Sequence, residues 1–165
     1  MQTSFIPEIS DEQILYIHKF GKERKTLLKP TVLIVEDQQF SCTLLHGMVN
    51  RHYGCHIART GKEAIQLYLE HVPSIAFLDI ELPDINGHEL AQVMRQWDPF
   101  AYLVMVTANN YPEDVIRAKK NNVQGFIVKP FSKSKIIDSI ERYTYADRHS
   151  THTKTDPSFD KAQSL

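Results

Sequence analysis

The sequence predicts a doubly wound α/β domain on a five-stranded parallel sheet of order 2-1-3-4-5. Three observations lead there. Four apolar runs, at residues 31–35, 74–78, 101–106 and 125–128, are short and bounded by turn residues, as strands buried on both faces are. A fifth run, 55–58, is shorter and more polar and reads as an edge strand. Segments of helical spacing separate the runs, so the chain alternates strand and helix, and such chains form parallel sheets covered on both faces. Right-handed crossovers then favour the stated order.

Length and composition are compatible with this. At 165 residues the chain is long enough for one domain and tails. A chain of this size buries roughly 70% of its unfolded surface and needs no disulfide or metal to fold. It is 42% hydrophobic and 24% charged, an ordinary globular balance. A net charge of -1 gives no general attraction to nucleic acid or anionic membrane. Cys42 and Cys55 read as reduced thiols. No apolar run approaches the ~20 residues of a membrane span, and the first residues do not form a signal peptide. Together these predict a cytoplasmic protein.

Residues 1–29 form an extension ahead of the first strand. Ser10 to Gln13 fits a capping box, with Ile14, Leu15, Tyr16, Ile17 and Phe20 following and Gly21 as the expected stop. A helix so short must pack on something. Its own domain is the first reading, and a homodimer or partner contact the second. Lys22 to Lys25 reads as a solvated linker.

The main domain is expected over residues 30–146. After the first strand, Phe40, Leu44 and Met48 recur at spacing four, with Leu45 and Val49 widening the face, and Gly54 suits the C′ position. Thr60 to Glu63 is a second capping box, opening a helix with Ala64, Ile65, Tyr68 and Val72 on one face and Pro73 at its end. Residues 82–87 are turn chemistry. Leu90, Val93, Met94 and Trp97 mark the next helix, which stops near Asp98 and Pro99. Pro112, Glu113 and Asp114 start another, and Lys119 and Lys120 end it, all favoured by the helix dipole. Its apolar face is thin: Val115, Ile116 and Ala118. The last helix uses Ile136, Ile137, Ile140 and Tyr143. Residues 147–165 have the composition of a disordered tail.

Parallel strands place their carboxyl ends on one edge, where open α/β sheets bind ligands. In this register the strand ends carry Glu36 and Asp37, Asp79, Thr107 and Lys129. Any one of these alone is an ordinary surface or capping residue. Together, clustered carboxylates require a cation, and hard oxygen ligands suit Mg²⁺. A carboxylate can itself attack phosphorus to give an aspartyl phosphate. The charge developing on the phosphoryl group is stabilised by metal, ammonium and hydrogen-bond donors. Asp79 as nucleophile, Glu36 and Asp37 around the metal, Lys129 as counter-charge and Thr107 as donor account for the whole set.

The chain resembles the receiver domains of two-component response regulators. The matching residues are Val32 to Asp37, Leu78 to Gly87, Thr107-Ala108 and Phe126 to Phe131. The resemblance spans about residues 30–146 and implies the flavodoxin-like strand order. It further implies that Asp79 takes a phosphoryl group from a histidine kinase or histidine phosphotransfer protein. Glu81 would offer its backbone carbonyl to Mg²⁺. Glu36 replaces the family's usual first aspartate, which suggests a water-mediated metal contact.

The family's switch has Thr107 moving toward the phosphoryl group and an aromatic, here Phe126, turning inward. Phe126 has no hydroxyl to hydrogen-bond from its new position. Glu81 and Asn109, each two residues beyond a pocket residue, are the positions that modulate phosphoryl lifetime in the family. The resemblance implies no enzyme turning over a separate substrate, only Mg²⁺-dependent self-phosphorylation and self-dephosphorylation.

The stretch after the last helix is too short for a helix-turn-helix domain, so no direct DNA binding is expected. Output would pass to a downstream protein through residues 112–121, 125–128 and 133–145. Two rival classes remain at this point. A small aspartyl-phosphate phosphohydrolase needs an aspartate two residues after the nucleophile, where Glu81 stands. A phosphate-independent binding module would not need Asp79, Thr107 and Lys129 together.

Overall fold

A computed structural model describes residues 5–27 and 29–148. The elements run α1 (Asp11–Glu23), β1 (Thr31–Val35), α2 (Gln39–Val49), β2 (Gly54–Ala58), α3 (Gly61–His71) and β3 (Ile75–Leu78). Then follow α4 (Gly87–Trp97), β4 (Tyr102–Thr107), α5 (Pro112–Lys120), β5 (Gly125–Val128) and α6 (Lys133–Arg148). All strand pairs are parallel, in the order β2-β1-β3-β4-β5. The fold expected from the sequence is the fold observed, and among the described residues no helix is long and apolar enough to cross a membrane.

Period-two alternation divides the strands between two cores. Leu33, Val35, Ala76, Leu78, Leu103 and Met105 face α1, α3, α4 and α5. Val32, Ile34, Ile75, Phe77, Val104 and Val106 face α2 and α6. Each large side chain fully buried this way contributes about 1.5–3 kcal/mol. The central strand β3 is apolar at every position because both of its faces are covered.

Ser10 caps α1 in a full capping box with Gln13, as expected. Gly21 does not end the helix. It lies inside α1, where a Cβ would stand 3.1 Å from Asp98 Oδ1 and 3.3 Å from the Phe100 ring. The glycine is there so that α1 can approach the turn after α4 closely. The segment read as a solvated linker is likewise partly core. Arg24 opens a 3₁₀ turn, Arg24–Thr26, is 3% exposed, and pairs with Asp98 at 2.6 Å. Ile17 joins the main core, so α1 lies on its own domain.

On α2 the buried residues are Cys42, Leu45 and Val49, whereas Phe40 is 77% exposed and Leu44 is also exposed. Of the expected face, Leu45 and Val49 are buried and Met48 packs against the same core, while Phe40 and Leu44 turn outward and Cys42 takes the inward place. Gly54 opens β2, and Asn50 caps α2 instead. Thr60 caps α3 through the amide of Glu63, but the Glu63 carboxylate accepts from the amide of Arg59, one residue before the cap. Val72 ends α3 at φ 42, with its side chain buried and Pro73 blocking continuation. On α5, Val115 and Ala118 are buried and Ile116 is exposed. The helix α6 includes Asp147 and Arg148, the first residues of the expected tail; residues 149–165 lie outside the described residues.

Candidate functional site

The carboxyl ends of β1, β3, β4 and β5 meet at one edge of the sheet. Glu36 follows β1 and is buried, because its amide continues the ladder onto the carbonyl of Ala58. Asp79 follows β3 in the same way, its amide donating to the Val35 carbonyl, and is 4% exposed. Lys129 follows β5, its amide bonded to the Thr107 carbonyl. The sheet thus fixes the backbone of each residue, and the side chains project past its edge.

The Lys129 ammonium lies 2.6 Å from Glu36 Oε2 and donates to Asp79 Oδ2 at 2.8 Å. Carboxylate oxygens of Glu36, Asp37 and Asp79 all lie within 4.8 Å of one another. Asp37 is exposed while the other two are buried, so the cluster opens to solvent through Asp37. Three carboxylates against one ammonium leave an uncompensated negative charge. That donor set fits a hard divalent cation such as Mg²⁺.

Burial pushes the Glu36 carboxyl above its ordinary range; the hydrogen bond from Lys129 opposes this, and the charge of Asp79 adds to it. Burial alone would lower Lys129, but its hydrogen bonds and attraction to Asp79 and Glu36 outweigh that and hold it above its ordinary value. The ammonium is therefore charged at neutral pH.

A second ring of groups shapes the opening. The Glu81 amide donates to Asp79 Oδ1 at 3.3 Å, and the Asn109 amide to Thr107 Oγ1 at 3.2 Å. Asn109 Nδ2 donates to Glu81 Oε1 at 2.6 Å. The two positions expected to act on lifetime thus touch each other across the mouth of the pocket. Thr107 itself is buried at the end of β4.

The loop between β3 and α4 is held by contacts that the turn composition did not reveal. Asp84 accepts from the amides of Gly61 and Lys62 at 2.7 and 2.9 Å, satisfying the first free donors of α3. Gly87 opens α4 and donates to the Ile80 carbonyl at 2.8 Å. A Cβ at Gly87 would collide with the Asp79 carbonyl and the Ile80 Cα, so only glycine fits there. The Gly87 requirement was part of the recognised motif, but its physical reason appears only in three dimensions.

Phe126 is 1% exposed and packed in the main core that includes Met105, Val115 and Ala118. An apolar ring gains from burial and has no hydroxyl to draw it outward. Sequence reasoning also missed Arg59. Its guanidinium donates to the Asp37 carbonyl at 3.3 Å and to Gln39 Oε1 at 2.7 Å, bracing the loop that carries the acidic pair. No motif marked it, because its role depends on β2 lying beside β1.

Cys42 and Cys55 are both free thiols, as expected, and burial raises the pKa of each, that of Cys55 to about 12. They are poor nucleophiles at neutral pH.

Fold and site together define a class: a doubly wound parallel sheet with an acidic, lysine-braced pocket around a strand-end aspartate. The chain belongs to the response regulator receiver domain family, whose model matches residues 32–141. It is 35% identical over 114 residues to the chemotaxis protein CheY of Listeria monocytogenes, covering 67% of this chain and 95% of that protein. It is 31% identical over 110 residues to CheY of Halobacterium salinarum, covering 66% and 92%. The polar-differentiation response regulator DivK of Brucella anthropi is 29% identical over 116 residues, covering 68% and 94%. Among solved structures, the non-phosphorylated HemR receiver domain of Leptospira biflexa aligns with TM-score 0.66 at 27% identity, covering 76% of this chain and 98% of that one. A CheY-like receiver domain of Methanospirillum hungatei aligns with TM-score 0.69 at 22% identity, covering 73% and 97%. The family model begins at Val32, so α1 and its anchor Arg24 lie ahead of the segment it matches.

Proposed function

We propose that this receiver accepts a phosphoryl group on Asp79 in a two-component phosphorelay and signals by protein–protein contact. The donor is a phosphohistidine on a histidine kinase or histidine phosphotransfer protein. The observation that carries this is the charge balance at the pocket: Glu36, Asp37 and Asp79 face a single ammonium, Lys129. An Asp79 carboxylate oxygen attacks phosphorus, the phosphorus–nitrogen bond breaks, and the imidazole leaves with the bonding electrons. The Glu36, Asp37 and Asp79 carboxylates, with the Glu81 carbonyl, would hold Mg²⁺, which neutralises phosphoryl charge when bound. Lys129 supplies the fixed positive charge and Thr107 a hydroxyl donor. Gly87 and the sheet ladder keep Asp79 in place. Glu81 and Asn109, hydrogen-bonded across the opening, govern the approach of the water that hydrolyses the acyl phosphate.

This reaction makes the chain a self-phosphorylating and self-dephosphorylating switch, with no separate substrate turned over. Transfer between cytosolic partners fits a cytoplasmic location. The surface read by a downstream protein is the face of α5, β5 and α6, where Tyr111, Ile116 and Tyr145 are exposed. Phe126 is already buried, so phosphorylation acts on Thr107 and the loop after β4 more than on the aromatic. The test is incubation with Mg²⁺ and a small-molecule phosphodonor. An adduct that decays slowly and is absent in Asp79→Asn is expected. Sustained turnover of the donor would indicate a hydrolase. No adduct, with partner binding retained, would indicate a passive binding module.

A further inference from the structure

We propose that the outer face of α1 is a homodimer interface, formed with a second copy of this chain by antiparallel α1–α1 packing. The inference is independent of phosphorylation at Asp79.

The helix α1 precedes the family segment, and its inner face is firmly fixed. Ile17 is in the core, Gly21 lies against Phe100 and Asp98, and Arg24 forms a buried ion pair with Asp98. Its outer face spends large apolar side chains on solvent: Leu15 is 73% exposed, and Tyr16 and Phe20 are exposed and in ring contact, with centroids 4.5 Å apart. A helix needed only to cover the core would carry polar residues there. Held rigidly, this face meets a partner with little ordering cost.

The charges indicate the partner. The N-terminal end of α1 carries Asp11 and Glu12, and the second half carries Lys19 and Lys22 ahead of a terminal Glu23, with Lys22 also lying over the Phe100 ring. Over residues 12–19 this pattern is complementary to itself when reversed. A twofold axis crossing α1 between Leu15 and Tyr16 sets Leu15 against the second copy's Tyr16. The same register sets Glu12 against the second copy's Lys19. Such an isologous contact closes on itself, and the antiparallel helix dipoles favour it. An interface built from one helix of 13 residues is small, so the dimer dissociates on dilution through the micromolar range.

Sedimentation velocity of the full chain between about 5 and 500 µM tests the proposal, in the low-salt conditions that favour ion pairs. A monomer–dimer equilibrium is expected. Leu15→Glu, at an exposed position that leaves folding intact by circular dichroism, raises the dissociation constant at least tenfold. Glu12→Lys and Lys19→Glu each weaken the dimer several-fold, and the double exchange restores it. Ile116→Glu, on α5, changes nothing. A chain monomeric at every concentration overturns the proposal. So does a dimer insensitive to Leu15→Glu, one broken by Ile116→Glu, or one whose charge exchange fails to restore association.

Discussion

Two clusters of buried charge hold this molecule together, and they differ in balance. At the carboxyl edge of the sheet, Lys129 faces Glu36, Asp79 and the exposed Asp37. On the α1 side, Arg24 faces Asp98 alone, and the remaining capacity of Asp98 is filled by the Tyr68 hydroxyl at 2.8 Å and the Phe100 amide at 2.9 Å. The second cluster is closed and has no surplus of negative charge, since the Arg95 guanidinium also lies within electrostatic reach of Asp98. The first carries surplus negative charge and opens to water. Burial is costly for any charge, so a surplus maintained in a buried site indicates a ligand that supplies the missing positive charge. A balanced pair needs no ligand and does structural work. The same residue types therefore have different roles, and the count of opposite charges distinguishes them.

The sharpest way to break the comparison is to unbalance the closed cluster. Asp98→Ala strands the Arg24 guanidinium, whose side chain is 2% exposed, and removes the partner of Tyr68 and of the Phe100 amide. The expected cost is about 3–5 kcal/mol, as for breaking other buried pairs. Urea melts should show a lower midpoint with phosphorylation of the folded fraction unchanged. A loss under 1 kcal/mol would mean that the pair contributes little. Deleting residues through Arg24 should destabilise for the same reason, since it leaves Asp98 buried without its cation.

Next in size is the response of the open cluster to a cation. Mg²⁺ at ten times its dissociation constant should stabilise the chain by about 1.4 kcal/mol. Asp37→Asn should remove most of that gain, and Asp98→Ala should leave the gain intact. Thermal melts with Mg²⁺ and with chelator measure both. Equal stabilisation of Asp37→Asn would place the cation elsewhere.

A finer test concerns the mouth of the pocket. Glu81 and Asn109 share a 2.6 Å hydrogen bond, so their effects on acyl-phosphate decay should not add. Each single substitution should change the decay rate several-fold while phosphorylation persists. The double variant should resemble one of the singles. Additive rates, or unchanged decay in both singles, would remove the coupling.

The contrast between the clusters also explains what the sequence could show. The open cluster was legible because sheet topology, predictable from apolar runs, brings all the strand ends to one edge. Glu36, Asp79, Thr107 and Lys129 are each adjacent to their strand in sequence, so finding the strands found the residues. The closed cluster was not legible. Arg24 stands in a run of charges that looks solvated, and Asp98 is a helix stop followed by proline. Their meeting depends on how α1 crosses the turn after α4, and local periodicity does not encode that. The same limit hid Arg59 on the loop of Asp37 and misplaced part of the face of α2. Spacing put Phe40 and Leu44 on the face with Leu45 and Val49, although only the last two of these are buried and Cys42 joins them. Helix existence follows from local spacing, whereas helix rotation depends on partners far along the chain.

A third buried titrating group, His88, gives the smallest effect and tests whether α5 is tied down electrostatically. His88 is fully buried on α4, and its Nε2 lies 3.1 Å from Asp114 Oδ1 on α5. Burial lowers its pKa; the hydrogen bond to Asp114 opposes this, while the charge of Arg117 adds to the lowering. In the window below the ordinary imidazole value the unfolded chain therefore binds more protons than the folded one. Stability must rise with pH across that window and be lost as pH falls through it. His56, stacked on His71 at 3.9 Å, is lowered by burial and by that neighbour and adds a slope of the same sign. The informative quantity is thus the difference between wild type and His88→Gln. Urea midpoints measured from pH 7.5 down to pH 5 should fall more steeply for wild type, with the two curves converging at the acid end. Parallel curves would mean that His88 titrates alike in the folded and unfolded chains, and that its contact with Asp114 adds no pH-dependent tie to α5.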